Sequence, residues 1–297
     1  MNEALDKEVA AALESAGLNI KQSYFISAVK SPSRRRKAYR IDLQTGRTIK
    51  ARLLEDEETA QRLFEFRRDL PHSFAPVLAQ YGAVLLERWV QGDVLQDRLL
   101  TKDLIGRAAV LLAELHETNS VAGRPVKEMR RTMIWRERME SDLGEIVSAG
   151  ELDRSQALVI RDTLNRTDPK NSLFGLVHTD FCGENMVIDR DGQLHIVDNE
   201  RISIDSLSYD FARSWYRWAL PNSLWAHFKC VYAAHFAHKE PFETFDFWRV
   251  VAIIQSAALR LRVDRNWANT PLVRLRCMAA EISMQQTHGR QTEEASG

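Results

Sequence analysis

The apolar pattern of this chain changes period once, at Val90-Gln91-Gly92-Asp93, and that change limits the folds open to it. Before the break, short extended runs dominate, at residues 24–29, 39–43, 47–54, 75–78 and 83–87. Gln44-Thr45-Gly46 supplies a turn between the second and third. A single helical stretch interrupts them over residues 55–70. It opens with four acids, which suit the positive end of a helix dipole, and it stops before Pro71. After Gly92 the period becomes helical, over residues 104–116, 130–149 and 153–165. Ahead of everything, Leu5, Val9, Ala12, Leu13 and Ala16 stand at helical spacing before Gly17. The pattern predicts an α+β protein with an N-terminal helix in 1–19, a small strand-rich lobe over 20–90 and a mainly helical lobe over 91–284. The polar residues 285–297 read as a disordered tail.

Composition narrows the class of protein. The 297 residues suffice for two lobes with a real core. Lys plus Arg (41) equals Asp plus Glu (41), so net charge offers no argument for nucleic acid or a membrane surface. No apolar run approaches the roughly 18 residues of a membrane span, and residues 1–16 lack a signal-peptide core. Cys182, Cys230 and Cys277 are far apart with no C-x-x-C pair, so they read as reduced thiols in a cytoplasmic protein.

The chemistry is concentrated in His178-Thr179-Asp180-Phe181-Cys182-Gly183-Glu184-Asn185, followed by Ile196-Val197-Asp198. Short apolar strands at 173–177 and 194–197 flank it. The spacing of His178, Asp180 and Asn185 is that of kinase catalytic loops, H-R-D-x-x-x-x-N, with Thr179 in place of the Arg. Phosphoryl transfer requires an oriented acceptor hydroxyl and cations on the phosphates. Asp180 can orient that hydroxyl or accept its proton. Asn185 offers Mg²⁺ a neutral oxygen and Asp198 a charged one. Asp189-Arg190-Asp191-Gly192 reads as an ordinary hairpin turn between strands.

Together these motifs resemble the aminoglycoside phosphotransferase and choline kinase family, small-molecule kinases with a protein-kinase-like fold. The resemblance runs from about residue 24 to 213. Leu111-Leu112-Ala113-Glu114-Leu115-His116 matches a helix end of that family, and Tyr209-Asp210-Phe211-Ala212 matches its Tyr-Asp-Leu-Ala motif. The resemblance implies a bilobal fold, with a small antiparallel-sheet lobe containing one helix and a larger helical lobe. It also implies ATP and Mg²⁺ as cofactors. Lys50 takes the place of the phosphate-binding lysine, with a helix acid to brace it, Glu58 or else its neighbour Glu57. The backbone of Arg88 and Val90 takes the place of the adenine-binding hinge. The basic loop 31–37 lacks the family's glycines, so Ser33 and neighbouring amides are expected to cap the phosphates. Thr179 and Cys182 stand where the family often has Gly and His, and Asn199 where an aromatic is common.

The reading is therefore an ATP- and Mg²⁺-dependent kinase of a small-molecule hydroxyl, with neither nucleic acid nor membrane as partner. Two alternatives stand beside it. A protein Ser/Thr kinase is disfavoured because twelve positions separate Asp198 from Asp210 and no Ala-Pro-Glu follows. A catalytically weak nucleotide-binding scaffold is disfavoured by the complete acid and metal set. The acceptor stays open: Glu128, Glu137, Glu140 and Asp142 could attract a polycation, but Arg130, Arg131, Arg136 and Arg138 are interleaved with them. His227, His235 and His238 read as helix-surface residues rather than metal ligands. The tryptophans at 215, 218, 225, 248 and 267 read as helical core rather than as a box for a cation.

Overall fold

The computed structural model describes residues 5–28, 36–118, 120–121, 124–125, 128–130, 133–169 and 172–294. The chain opens with α1 (Lys7–Ser15), β1 (Ile20–Ala28), β2 (Lys37–Leu43), β3 (Thr48–Leu53), α2 (Glu57–Arg68), β4 (Val77–Tyr81) and β5 (Val84–Arg88). It continues through β6 (Gly92–Val94), α3 (Lys102–Glu117), β7 (Ser120–Val121), β8 (Arg124–Pro125), β9 (Glu128–Arg130), α4 (Met133–Ser148) and α5 (Arg154–Thr167). The central strands are β10 (Ser172–Val177), β11 (Met186–Asp189), β12 (Leu194–Ile196) and β13 (Ser203–Ser206). Five helices close it: α6 (Leu207–Trp218), α7 (Asn222–His235), α8 (Glu240–Glu243), α9 (Phe245–Val263) and α10 (Arg265–Glu294).

The chain divides into two compact units, and the division does not follow the expected lobes 20–90 and 91–284. The first unit is Met1–Lys127, Gly175–Asp205 and Leu220–Ala237; the second is Glu128–Phe174, Ser206–Ala219 and His238–Gly297. Strand β11 pairs with β12 on one side and with β6 on the other, which keeps that segment in the first unit.

In the first unit, five antiparallel strands run in the order β1-β2-β3-β5-β4. Alternation puts Tyr39, Ile41, Leu43, Ile49, Ala51, Leu53, Val84 and Leu86 on one face, where Val9, Ala12 and Leu13 of α1 cover them. The other face carries a polar row. Tyr24 pairs with Arg40, Arg40 with Lys50, and Lys50 with Glu87, so these four side chains cross the sheet in register. Helix α2 is capped by Asp56, whose carboxylate accepts from the Thr59 amide at 2.7 Å, and it buries Ala60, Leu63 and Arg67. The break at Gly92 has a steric cause: a Cβ there would collide with the Ile188 carbonyl on the paired strand β11.

The second unit is built around α9, against which α4, α5, α6 and α10 pack. Trp135 lies between Tyr209 (ring centroids 4.4 Å) and Trp248 (5.5 Å). Of the five tryptophans, Trp218 and Trp248 are buried in this unit and Trp225 in the first, whereas Trp267 is exposed under the Arg260 guanidinium. Helix α10 runs on to Glu294, through most of the expected disordered tail. Gln, Glu and Arg in that stretch are good helix formers, so its polar sequence does not oppose a helix.

Candidate active site

The loop after β10 is held by short local bonds. Val177 and His178 are buried, and His178 bonds at both ring nitrogens. Its Nδ1 accepts from the Asp180 amide at 3.3 Å, and its Nε2 lies 3.1 Å from Asn199 Oδ1. One tautomer satisfies both contacts, with the proton on Nε2. Asn199 in turn donates to the Ile196 carbonyl at 3.1 Å. An aromatic at that position could not make this tie. Thr179, between His178 and Asp180, has a left-handed backbone (φ 59°), which a β-branched residue rarely adopts and which the glycine common in the family accepts freely.

Asn185 ends a 3₁₀ turn and orients Asp180 directly. Its Nδ2 donates to the Asp180 carbonyl at 2.8 Å and to Asp180 Oδ2 at 3.2 Å. That leaves Oδ1 as its remaining polar atom. The hairpin β11–β12 pairs Met186 with Ile196, and the Val197 amide extends the pairing by donating to the Asn185 carbonyl at 2.8 Å. Asp198 is the next residue, turned out of the strand by a left-handed backbone (φ 58°, ψ 43°). The end of β12 is fixed from its other side, because Ile196 exchanges hydrogen bonds with Ser73 (2.6 Å) and Ala75 (2.9 Å).

The sheet supplies the cations. Lys50 Nζ reaches Asp198 Oδ1 at 3.2 Å. Arg52, two residues on along the same face of β3, donates to the same oxygen and, through its other terminal nitrogen, to Glu200. Its Nε lies 4.0 Å from Glu87 Oε1. Glu87 is buried and held by Arg67 of α2, whose second nitrogen donates to the Ala75 carbonyl at 2.7 Å. Burial alone would push the Glu87 carboxyl up; Arg67, Arg52 and Lys50 overcome it and hold the group below its ordinary value. Burial opposes ionisation of Asp198 as well, and Arg52 and Lys50 outweigh it to hold that carboxyl well below the usual range. Arg52 experiences the reverse, its charge disfavoured by burial but fixed by Glu87, Asp198 and Glu200.

Lys50 thus meets Asp198, the Asn185 carbonyl is tied to the amide of the residue before Asp198, and the Asn185 side chain is bonded to Asp180. The expected brace does not form. Glu57 and Glu58 are exposed and, among the described residues, neither pairs with Lys50. At 3.6 residues per turn, Glu58 sits about 200° from Ala60 and so points away from the buried face of α2. The helix offers the sheet a cation, Arg67, and the strand provides the acid, Glu87. Arg52, Glu87, Arg67 and Glu200 were all missed in the sequence. One signal was present for two of them: Arg52 shares the face of Lys50, and Glu87 ends the apolar run Val84-Leu85-Leu86.

In the segment expected to be the hinge, the Arg88 amide already donates to the Pro76 carbonyl at 2.9 Å, and Val90 lies just past the end of β5. Trp89 packs under the Arg40 guanidinium at 5.5 Å, with Tyr24 on the same cation at 5.3 Å. Ser33 lies outside the described residues. Arg36, at the end of its loop, pairs with Glu55 at 2.8 Å and stands 3.6 Å from Glu200. A cavity of about 500 Å³ opens beside Glu200, between α2 and residues 200–204, rather than at Asp180. In the second unit, two acids considered for a cationic acceptor are paired internally, Glu140 with Arg161 (2.7 Å) and Asp142 with Arg262 (2.5 Å).

Among the described residues, no group of three or more His, Cys, Asp or Glu side chains is placed to hold a metal. The oxygens of Asn185 and Asp198 are of the hard kind that Mg²⁺ takes when phosphates and water complete its shell, so the residues present fit that ion.

A family model described as APH, the phosphotransferase enzyme family, matches residues 66–249, more than half of the chain. No curated protein matches it in sequence. Among solved structures, a putative fructosamine-3-kinase from Thermobifida fusca is similar at 16% identity and a TM-score of 0.63, covering 94% of this chain and 100% of that one. Choline kinase from Cryptosporidium parvum is similar at 12% identity and a TM-score of 0.62, covering 95% and 97%. A spectinomycin phosphotransferase solved with ADP and spectinomycin is similar at 14% and 0.62, covering 95% and 98%. The α+β, protein-kinase-like fold expected from the sequence is the one these enzymes share.

Proposed function

The chain belongs to the phosphotransferase enzyme family, and from that premise we propose that it transfers the γ-phosphoryl group of ATP, with Mg²⁺, to a hydroxyl of a small molecule. The observation that carries this reading is the Asn185 amide, which donates to Asp180 and leaves its oxygen for a metal beside Asp198. Asp180 orients the acceptor hydroxyl and accepts its proton as the oxygen attacks. Asn185 and Asp198 hold Mg²⁺, which when bound offsets charge on the phosphate oxygens. Lys50 holds the α- and β-phosphates. The Arg88 carbonyl and the Val90 amide face adenine, since the Arg88 amide is already in use. Ser33 and its loop cap the phosphates.

A protein substrate is not favoured, because β13 and α6 take up the interval between Asp198 and Asp210 directly. Among the described residues no helix is long and apolar enough to cross a membrane. The exposed thiols of Cys230 and Cys277 suit a reducing compartment, and we place the enzyme in the cytoplasm. The test is ADP release across aminoglycosides, macrolides, choline-like amines, sugars and hydroxy amino acids. One class should turn over, and Asp180→Ala should lower kcat by about 10²–10⁴-fold without loss of fold. Nucleotide binding with no turnover on any acceptor, by either protein, would leave the scaffold reading standing instead.

A further inference from the structure

With Glu58 exposed, the brace of the phosphate-binding lysine has to come from elsewhere, and the buried ions behind Lys50 provide it. Lys50 and Arg52 leave β3 on the same face, and Glu87 stands opposite Lys50 on β5. Arg52 is only 4% exposed yet faces three carboxylates, Asp198, Glu200 and Glu87. Its Nε has no hydrogen-bond partner of its own, while both terminal nitrogens are committed to acids of the 198–200 segment. A guanidinium is a rigid fork and can fix the relative position of two carboxylates, which a lysine ammonium on a flexible stem cannot. Arg67 secures the other end by holding Glu87 and the Ala75 carbonyl.

We propose that Arg52 is a positioning residue for phosphoryl transfer: its fork fixes Asp198 against Glu200, with Glu87 and Arg67 behind it, so that Asp198 and Lys50 face the phosphates together. The proposal rests on the reading of Asp198 as a metal ligand and of Lys50 as a phosphate contact. It separates from a plain charge effect by sign. If Arg52 served only as a counter-charge, its removal would make Asp198 bind a cation more tightly. If it orients Asp198, its removal weakens that binding, as loss of an outer partner of a metal ligand does.

The experiment measures Mn²⁺ binding in the presence of ADP by electron paramagnetic resonance, together with Mg²⁺-dependent ADP release, on the full chain. Arg52→Met, with its fold checked by circular dichroism, should raise the Mn²⁺ Kd by about 10–100-fold and raise the Mg²⁺ requirement for turnover in parallel. Arg52→Lys should not restore either. Unchanged or tighter Mn²⁺ binding in Arg52→Met overturns the proposal, and so does full recovery in Arg52→Lys. Asp198→Asn reports on the underlying reading: if it binds Mn²⁺ as wild type does, Asp198 is not the ligand, whatever Arg52 does. Should Arg52→Met fail to fold, Arg52→Gln removes the same charge with a polar side chain that cannot bridge both carboxylates, and there weakened binding supports the proposal while unchanged or tighter binding overturns it.

Discussion

The two halves of the candidate site are held by different physics. The loop carrying Asp180 and Asn185 is fixed largely by hydrogen bonds among residues close in sequence, through His178, Asn199 and the Val197 amide, while Asp198 at its end meets the cations of the sheet. The cationic half is fixed by buried charges brought together from three elements, β3, α2 and β5. Local neutral bonds each contribute modestly and fail one at a time. A buried ion chain behaves otherwise, because removing one member strands the rest in a low dielectric. The loop is therefore expected to answer damage mainly with a loss of catalysis, and the sheet side mainly with a loss of stability.

Glu87→Gln tests that contrast at its strongest point. It leaves Arg67 charged, buried and without this counter-ion, takes one of three carboxylates from Arg52, and should cost about 3–5 kcal/mol of stability, measured by urea unfolding. The pH dependence sharpens it. The folded carboxyl sits below the ordinary glutamate value, so its stabilisation is complete above the unfolded pKa of about 4.3 and drains as pH falls through the lower, folded one. Wild type should therefore lose more stability than Glu87→Gln as pH is lowered from about 5 to about 3. Equal losses would mean that the charge of Glu87 is not what holds this half together.

Asn199→Ala probes the other side and should be milder. It strips His178 Nε2 of its acceptor in a buried site, for about 1–3 kcal/mol. It also frees the ring that receives the Asp180 amide, so kcat should fall by roughly 10–100-fold while KM for ATP stays put. The contrast is thus one of proportion, most of the loop's loss falling on kcat, and a stability loss in Asn199→Ala equal to that of Glu87→Gln in the same urea titration would remove it.

The same contrast explains what could be read in the sequence. Asp180, Asn185 and Asp198 were legible because a loop and a hairpin fix their relation through spacing alone. The change of period at Gly92 was legible because a backbone approach that excludes any Cβ demands glycine. The partner of Glu87 was not, since it depends on the register of β3 against β5 and on the rotational phase of α2, which no local spacing encodes. The division into units was hidden for a related reason: β6 sits beyond the expected boundary, yet its pairing partner β11 lies almost a hundred positions away.

Glu58→Ala carries the smallest expected effect and bears most directly on that lesson. By analogy with kinases, this acid should clamp Lys50, and its loss should be as damaging as that of Lys50 itself. Its placement argues otherwise: the buried face of α2 is Ala60, Leu63 and Arg67, and a side chain about 200° around from Ala60 cannot turn inward without rotating Arg67 off Glu87. That rotation would break a buried ion pair to make one beside solvent, an exchange that loses free energy. Glu58→Ala should therefore leave kcat/KM and stability within about twofold of wild type, as an ordinary surface change does. A tenfold loss of kcat/KM in a stably folded Glu58→Ala would mean that α2 turns during turnover and that Glu58 meets Lys50 in the reacting state.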